Sequence, residues 1–424
     1  MKRKKPPLFH LSAPLLLWCV LLHAVNTEGQ DTLRDEAAGT KASLAAPVEG
    51  KVLDPNDQED VFLEEFMNYE MKLLKNWKLR VFASGSWRYD SNVFLTNTGA
   101  QSDVMWSARP GFQYSYGDEQ AKLRVLADYN AQFNFFEKFE AQNSVNQFLS
   151  LSLGYRMKKT SIKLSGNFND VAGGDLDVGG QAQRIQFSPQ LQLMYEVSEK
   201  IRVGISGQLQ RSHYDSLLSS TTWRFGLFAD YAFSPRFRLG VQFNEMIQEV
   251  EQSGNQTGED FLVRVEWEAA QKVSLTGTAG FHLLHTVSAG DSVLPVGTLG
   301  FKYEVGPKTS LHASVYARAQ NSPSLTGQYY QSEGVLVGIQ QQVGSKLNIG
   351  ADFGYDFSEY GSYLAGVASS RVDHVRFFRP WLKYTLHRHL SLELFYQHTT
   401  NDSSGAAAQP FVRNLFGAGL TSSW

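Results

Sequence analysis

Three short stretches of this 424-residue chain bring together side chains able to do chemistry. Arg211-Ser212-His213-Tyr214-Asp215-Ser216 gathers a hydroxyl, an imidazole and a carboxylate, the parts of an activated nucleophile. Neighbours on an extended strand point to opposite faces, so Ser212 and His213 are expected on different sides of a sheet, unable to pair. His387-Arg388-His389 offers two imidazoles without the further ligands a zinc site needs. Gly174-Asp175-Leu176-Asp177-Val178-Gly179-Gly180 resembles a calcium loop loosely but lacks its closing glutamate. No catalytic residue, metal ligand set or cofactor motif stands out. The expectation is a protein that is not an enzyme.

Many of the charged residues from Trp77 onward fall on one phase of an alternating pattern. From Trp77 onward the apolar residues recur every second position, as in Trp223-Phe225-Leu227-Ala229-Tyr231-Phe233 against Arg224, Gly226, Phe228, Asp230 and Ala232. Such a segment shows grease on one face and polarity on the other. Strands of a soluble sandwich run about five to six residues. These run about 12–15, and about 9–11 suffice to cross a bilayer at a tilt. The expected strands are 77–90, 102–116, 120–135, 143–157, 160–172, 182–197, 200–214, 220–233, 236–250, 258–270, 272–285, 292–305, 308–320, 330–343, 346–360, 373–386, 389–400 and 409–424. Every second connection between them is a tight turn, among them Lys158-Lys159, Ser198-Glu199 and Ser234-Pro235, and the alternate ones are longer and polar. Short turns on one rim and long loops on the other predict an all-β fold, a transmembrane antiparallel up-and-down β-barrel of about 18 strands (16–18) with its closed sheet satisfying every backbone group in lipid.

Composition agrees. The chain is 42% hydrophobic and 13% aromatic, with 36 glycines and only 19% charged residues. No apolar run is long enough for a membrane-crossing helix, and the aromatic content excludes a disordered chain. Lys2, Arg3, Lys4 and Lys5 ahead of an apolar Leu15–Leu22 read as a secretory signal peptide over 1–24, which holds Cys19, the one cysteine. Residues 25–76 read as a periplasmic linker with an amphipathic helix near 59–75, on which Phe62, Phe66, Tyr69 and Leu73 share a stripe. The overall charge of −3 offers no basic excess for nucleic acid.

A barrel of this size has a backbone radius of roughly 18 Å, too wide for side chains alone to fill, so the lumen must hold water or a plug. The expected lumen residues include Arg224, Arg264 and Arg379 near mid-height with Asp128, Glu266 and Asp352, joined by Arg124 and Lys383. One reading makes the arginines a constriction for anionic or hydroxyl-rich solutes; the other pairs them with the lumen acids to stiffen the wall. Inward Tyr316, Trp381 and Phe395 either form a sugar-stacking track or pack the interior. By the same phase, Leu227→Arg on the lipid side is expected to do damage and Phe228→Arg on the lumen side to be tolerated. The chain ends on alternating residues and a terminal aromatic, Trp424, as an insertion signal for an outer-membrane assembly machinery would; Ser422 departs from the alternation.

The first hairpin carries Arg88-Tyr89-Asp90-Ser91-Asn92-Val93, then Ser102-Asp103-Val104 and Arg109-Pro110-Gly111. It resembles the beta-barrel porin 2 family and its exopolysaccharide-associated relatives, with Tyr89, Asp90 and Asn92 as the matching residues. The resemblance implies a bacterial outer-membrane barrel associated with exopolysaccharide or its export proteins, and it brings no catalytic residues. The expected function is a porin-like channel for passive passage of solutes, oligo- or polysaccharide among them. The alternatives are a plugged structural or adhesion barrel working through its outer loops and a barrel hydrolase. The expected partners are outer-membrane lipid and the assembly machinery.

Overall fold

The computed structural model describes residues 77–117, 121–270, 272–286, 290–362, 371–405 and 407–424. The expected signal peptide, linker and helix lie outside them. Strands β1 to β18 are, in order, Trp77–Asp90, Asp103–Tyr116, Leu123–Phe136, Ser144–Arg156, Thr160–Asp175, Gly180–Glu196, Ile201–Tyr214, Ser220–Ser234, Phe237–Val250, Gly254–Ala270, Val273–Thr286, Gly290–Gly306, Thr309–Asn321, Gln328–Val343, Leu347–Ser362, Val372–His387, Leu390–Ser404 and Phe411–Ser423. Each pairs antiparallel with its sequence neighbours, and β18 returns to β1 through Phe82↔Ser423 to Asp90↔Leu415. The sheet is a closed up-and-down barrel of eighteen strands.

The alternating pattern puts the apolar phase outside. Leu227, Val241 and Val293 are 59%, 62% and 66% exposed, while Asp230 and Asp356 on the inner face are almost completely covered. In water such an exterior is untenable; in lipid it is the favoured surface, and closure leaves no edge unpaired there. Trp77, Tyr155, Tyr195, Trp223, Trp267 and Tyr384 stand outward toward the strand ends, where interfacial rings belong. The chain is therefore an outer-membrane β-barrel, with short turns at one rim and longer connections at the other, the outer rim in such barrels.

Several outer connections are shorter than the sequence pattern suggests. The loops expected over 173–181 and 251–257 are mostly strand, because β5 runs on to Asp175, β6 starts at Gly180 and β10 starts at Gly254. Above the bilayer both faces of a strand meet polar surroundings, so the alternation that marks a strand in lipid fades there.

Candidate functional site

The inner wall holds the charged residues in pairs and chains. Arg264 donates to Asp230 Oδ1 (2.9 Å) and to Gln242 Oε1 (2.6 Å). Arg202 reaches Asp230 Oδ2 (2.6 Å) and also bonds Glu266, whose other oxygen accepts from Arg238 (2.9 Å). Gln242 Nε2 donates to Asn244, Asn244 Nδ2 to Asp260, and Asp260 also meets His282 Nδ1 (2.7 Å) and Arg224 Nε (3.3 Å). Arg379 lies 3.6 Å from Glu393, Asp352 accepts from Trp381 Nε1 (3.1 Å) and stands 3.6 Å from His312, and Asp128 accepts from Asn130 (3.3 Å).

Two expectations change. Arg224, Arg264 and Arg379 do not meet in one constriction: Arg379 is on β16, six strands round the ring from Arg264 on β10 and eight from Arg224 on β8. Glu266 is not at mid-height either, lying close to the short-turn end of β10 in the Arg202–Arg238 network. Arg124 and Lys383 are on the inner phase of β3 and β16, Lys383 opposite Glu393 in the register. The inward aromatics pack against the wall. The Tyr316 ring occupies the space a Cβ at Gly334 would need, Trp381 does the same at Gly350 and Phe395 at Gly417. Guanidinium groups cover two of these rings, Arg318 over Tyr316 at 4.5 Å and Arg379 over Phe395 at 4.7 Å. Phe228 lies over Gly204 with Arg264 at 4.5 Å from its ring. Aromatics so placed fill gaps left by glycines on the next strand.

Nor do the three chemical stretches form reactive sites. Ser212 lines the lumen, while His213 is on the outer phase and bonds Ser219 Oγ (3.0 Å). Asp175 is engaged by its own turn, accepting from the backbone of Asp177 (2.9 Å) and Val178 (3.1 Å), and it pairs with Arg184 (3.0 Å). Among the described residues no group of three or more His, Cys, Asp and Glu could hold a metal ion.

The principal feature of the lumen is at its outer mouth. The β5–β6 turn, 176–179, crosses to the opposite wall, nine strands away. Asp177 at its tip accepts hydrogen bonds from Tyr360 OH (2.5 Å), Ser322 Oγ (2.9 Å) and Ser324 Oγ (3.0 Å). Arg371 donates to the carbonyls of Asp177 (2.7 Å) and Leu176 (3.1 Å) and pairs with Asp373 (2.8 Å). Burial alone would lower the pKa of Arg371, but Tyr360, Asp373 and Asp177 outweigh that and raise it, so the clasp keeps its cation. Leu176 then joins Leu95 from the β1–β2 loop with Val375 and Phe411 of the wall, all at most 3% exposed. Sequence reasoning missed Asp177 as an anchor because its partners lie 145–194 residues away; the acidic, glycine-rich turn around a buried leucine was the available signal.

The family-like segment anchors the first of these loops. Tyr89 faces outward near Phe416, its ring centroid 6.4 Å away. Asp90 accepts from Arg413 Nε (3.0 and 3.1 Å) and from the backbone of Asn92 (2.9 Å). Asn92 bonds Thr96 in both directions and donates to the Val412 carbonyl (3.1 Å).

Beneath the crossing turn is a cavity of about 280 Å³. Leu176, Leu218 and Pro323 from three loops meet it from above, with Leu218 N–H donating to the Pro323 carbonyl (2.9 Å). Toward the other rim the lumen charges are partly accessible, Glu266 at 38% and Arg238 at 34%. The wall there is open to solvent.

The chain matches no known protein-family model and no curated protein. Solved structures similar to it include OccAB3 of Acinetobacter baumannii, at 8% identity and a TM-score of 0.46 over 83% of this chain and all of that one. OpdL of Pseudomonas aeruginosa is 10% identical, with a TM-score of 0.45 over 83% of this chain and 99% of its own. OccAB4 of Acinetobacter baumannii is 12% identical, with a TM-score of 0.44 over 82% and 99%.

Proposed function

We propose that this barrel is a passive outer-membrane channel for polar solutes, with oligosaccharide passage as the finer reading. The observation that carries it is the polar inner wall, partly water-accessible in its lower half, with a cavity under the mouth. Diffusion through such a lumen needs hydrogen-bond partners and width but no nucleophile. The paired arginines stiffen the wall and leave it locally neutral, which suits hydroxyl-bearing solutes as well as ions. The saccharide reading, and any association with exopolysaccharide or its export proteins, rests on the first hairpin's resemblance and the amide-rich lining. Membrane insertion through the barrel assembly machinery is inferred from the alternating C-terminal strand.

Planar-bilayer recording of the folded protein tests this reading. Discrete steady openings are expected. Silence from protein that still migrates in SDS gels as a compact band until boiled would overturn the channel. It would support a plugged structural barrel, the reading favoured by the dry contact of Leu95, Leu176, Val375 and Phe411 across the mouth.

A further inference from the structure

The cavity under the crossing turn has three properties that together define a ligand. The first is size: about 280 Å³, just under the range of roughly 300–1,000 Å³ usual for small-molecule sites. A mono- or disaccharide-sized molecule fits there, and a polymer does not while Asp177 holds the turn across the mouth.

The second is charge. The charged side chains lining it are three arginines, Arg184, Arg224 and Arg318, and three aspartates, Asp175, Asp177 and Asp260. Arg184 pairs with Asp175 at 3.0 Å and Arg224 with Asp260 at 3.3 Å. Asp177 is bound by hydroxyls, and Arg318 stacks on Tyr316. An anionic ligand would have to compete with Asp175 and Asp260 for Arg184 and Arg224, and a cation with those two arginines for the aspartates. Neither gains a net countercharge.

The third is the chemistry of the rest of the lining. Eight amide side chains face the cavity, Gln208, Gln210, Gln242 and Asn244 among them. An amide both donates and accepts, as a sugar hydroxyl does, so the two match at every orientation. Gln242 and Asn244 are fixed in the chain that runs from Arg264 to Asp260, which sets their free positions before any ligand arrives. Gln208 and Gln210, two residues apart on β7, line the cavity from the same face of their strand. Met246 and Leu284, packed together, add an apolar patch to the same lining. Polar edges and a small apolar face are what a pyranose ring presents.

From this geometry we infer that the mouth cavity is a binding site for a neutral, hydroxyl-rich solute of one or two sugar units. The inference deepens the channel reading and takes its relevance from it, but it is tested separately. Calorimetric titration of the folded barrel in detergent, without a bilayer, uses glucose, maltose, sucrose and lactose as neutral probes. Lactobionate, lactose with its glucose unit opened and oxidised to a carboxylate, serves as the anionic probe, and a high-mass dextran as the polymer.

Saturable binding of at least one neutral sugar is expected, with lactobionate about tenfold weaker than lactose or not detected, and no binding of dextran. Gln208→Leu and Gln210→Leu, each checked for the compact unboiled band, should weaken the neutral sugar about five- to tenfold, the loss of roughly one hydrogen bond. The inference is overturned if no neutral sugar binds, if lactobionate binds as well as lactose, if dextran binds, or if both folded leucine variants bind as the parent does. A barrel that conducts but binds no sugar sinks this inference and spares the channel. One that binds sugar but never conducts does the reverse.

Discussion

At the scale of single residues, the two faces of a strand answer to different solvents. Leu227 is 59% exposed on the outer face, toward lipid, and its neighbour Phe228 is 5% exposed on the inner one. Leu227→Arg puts a charge against hydrocarbon and should cost about 2–4 kcal/mol near the bilayer centre. It is checked by the denaturant midpoint of folding into vesicles. The phase of these two residues was legible from alternation alone. What Phe228 does was not legible. It covers Gly204 and carries Arg264 on its face, with Arg202 bound to the same Asp230. The tolerance expected of Phe228→Arg is therefore withdrawn, since it would add a third cation around one carboxylate. Phe228→Gln, uncharged, should lose mainly packing and remain milder than Leu227→Arg in the same assay. Alternation reports which face a residue is on, but ring-on-glycine contacts depend on inter-strand register, which no single strand encodes.

At the scale of elements, the β5–β6 hairpin is the part most remote from a simple tube. Its strands were expected, but its crossing was not, because the clasp pairs Asp177 with residues on a wall half a circumference away. Sequence pattern records local periodicity, and Tyr360, Ser322 and Arg371 share none with the turn. Hydrogen bonds to a carboxylate contribute about 1.5–3 kcal/mol each, and Asp177 accepts one from each of three side chains. Asp177→Ala should therefore loosen the turn by several kcal/mol while leaving the barrel wall intact. The expected outcome is higher single-channel conductance than the parent, with faster amide exchange confined to 176–179. Unchanged conductance with fast exchange would show that the turn does not obstruct the ion path. Leu95 packs against Leu176 from the β1–β2 loop, so that loop is the next to loosen.

At the scale of the molecule, everything depends on the seam where β18 meets β1. The two strands pair from Phe82↔Ser423 to Asp90↔Leu415, and Val81 and Trp424 exchange backbone hydrogen bonds of 2.9 and 2.8 Å. Arg413 and Asp90 form a buried ion pair across it, and Asn92 ties the first loop to Val412. Ser422, which breaks the apolar alternation, donates to the His389 carbonyl (2.9 Å) at the short-turn rim and so does not leave a bare hydroxyl in lipid. Eighteen strands and their antiparallel order were readable from segment length and turn spacing. Closure was inferred because an open edge in hydrocarbon leaves a row of unsatisfied backbone groups, each costing several kcal/mol. Loss of closure should therefore cause an abrupt failure, not a graded one. Removing residues 411–424 exposes one edge each of β1 and β17, and neither has an alternative antiparallel partner within the ring. The truncated chain should give no compact unboiled band in SDS gels and should not insert into vesicles, although seventeen strands remain. Removing Trp424 alone takes away only the last pair, next to β1 residues 77–80 that already extend past the end of β18. It should leave a folded barrel of lower thermal stability, seen as compact-band loss at a lower heating temperature. If both truncations behave alike, closure is not what holds this sheet in the membrane.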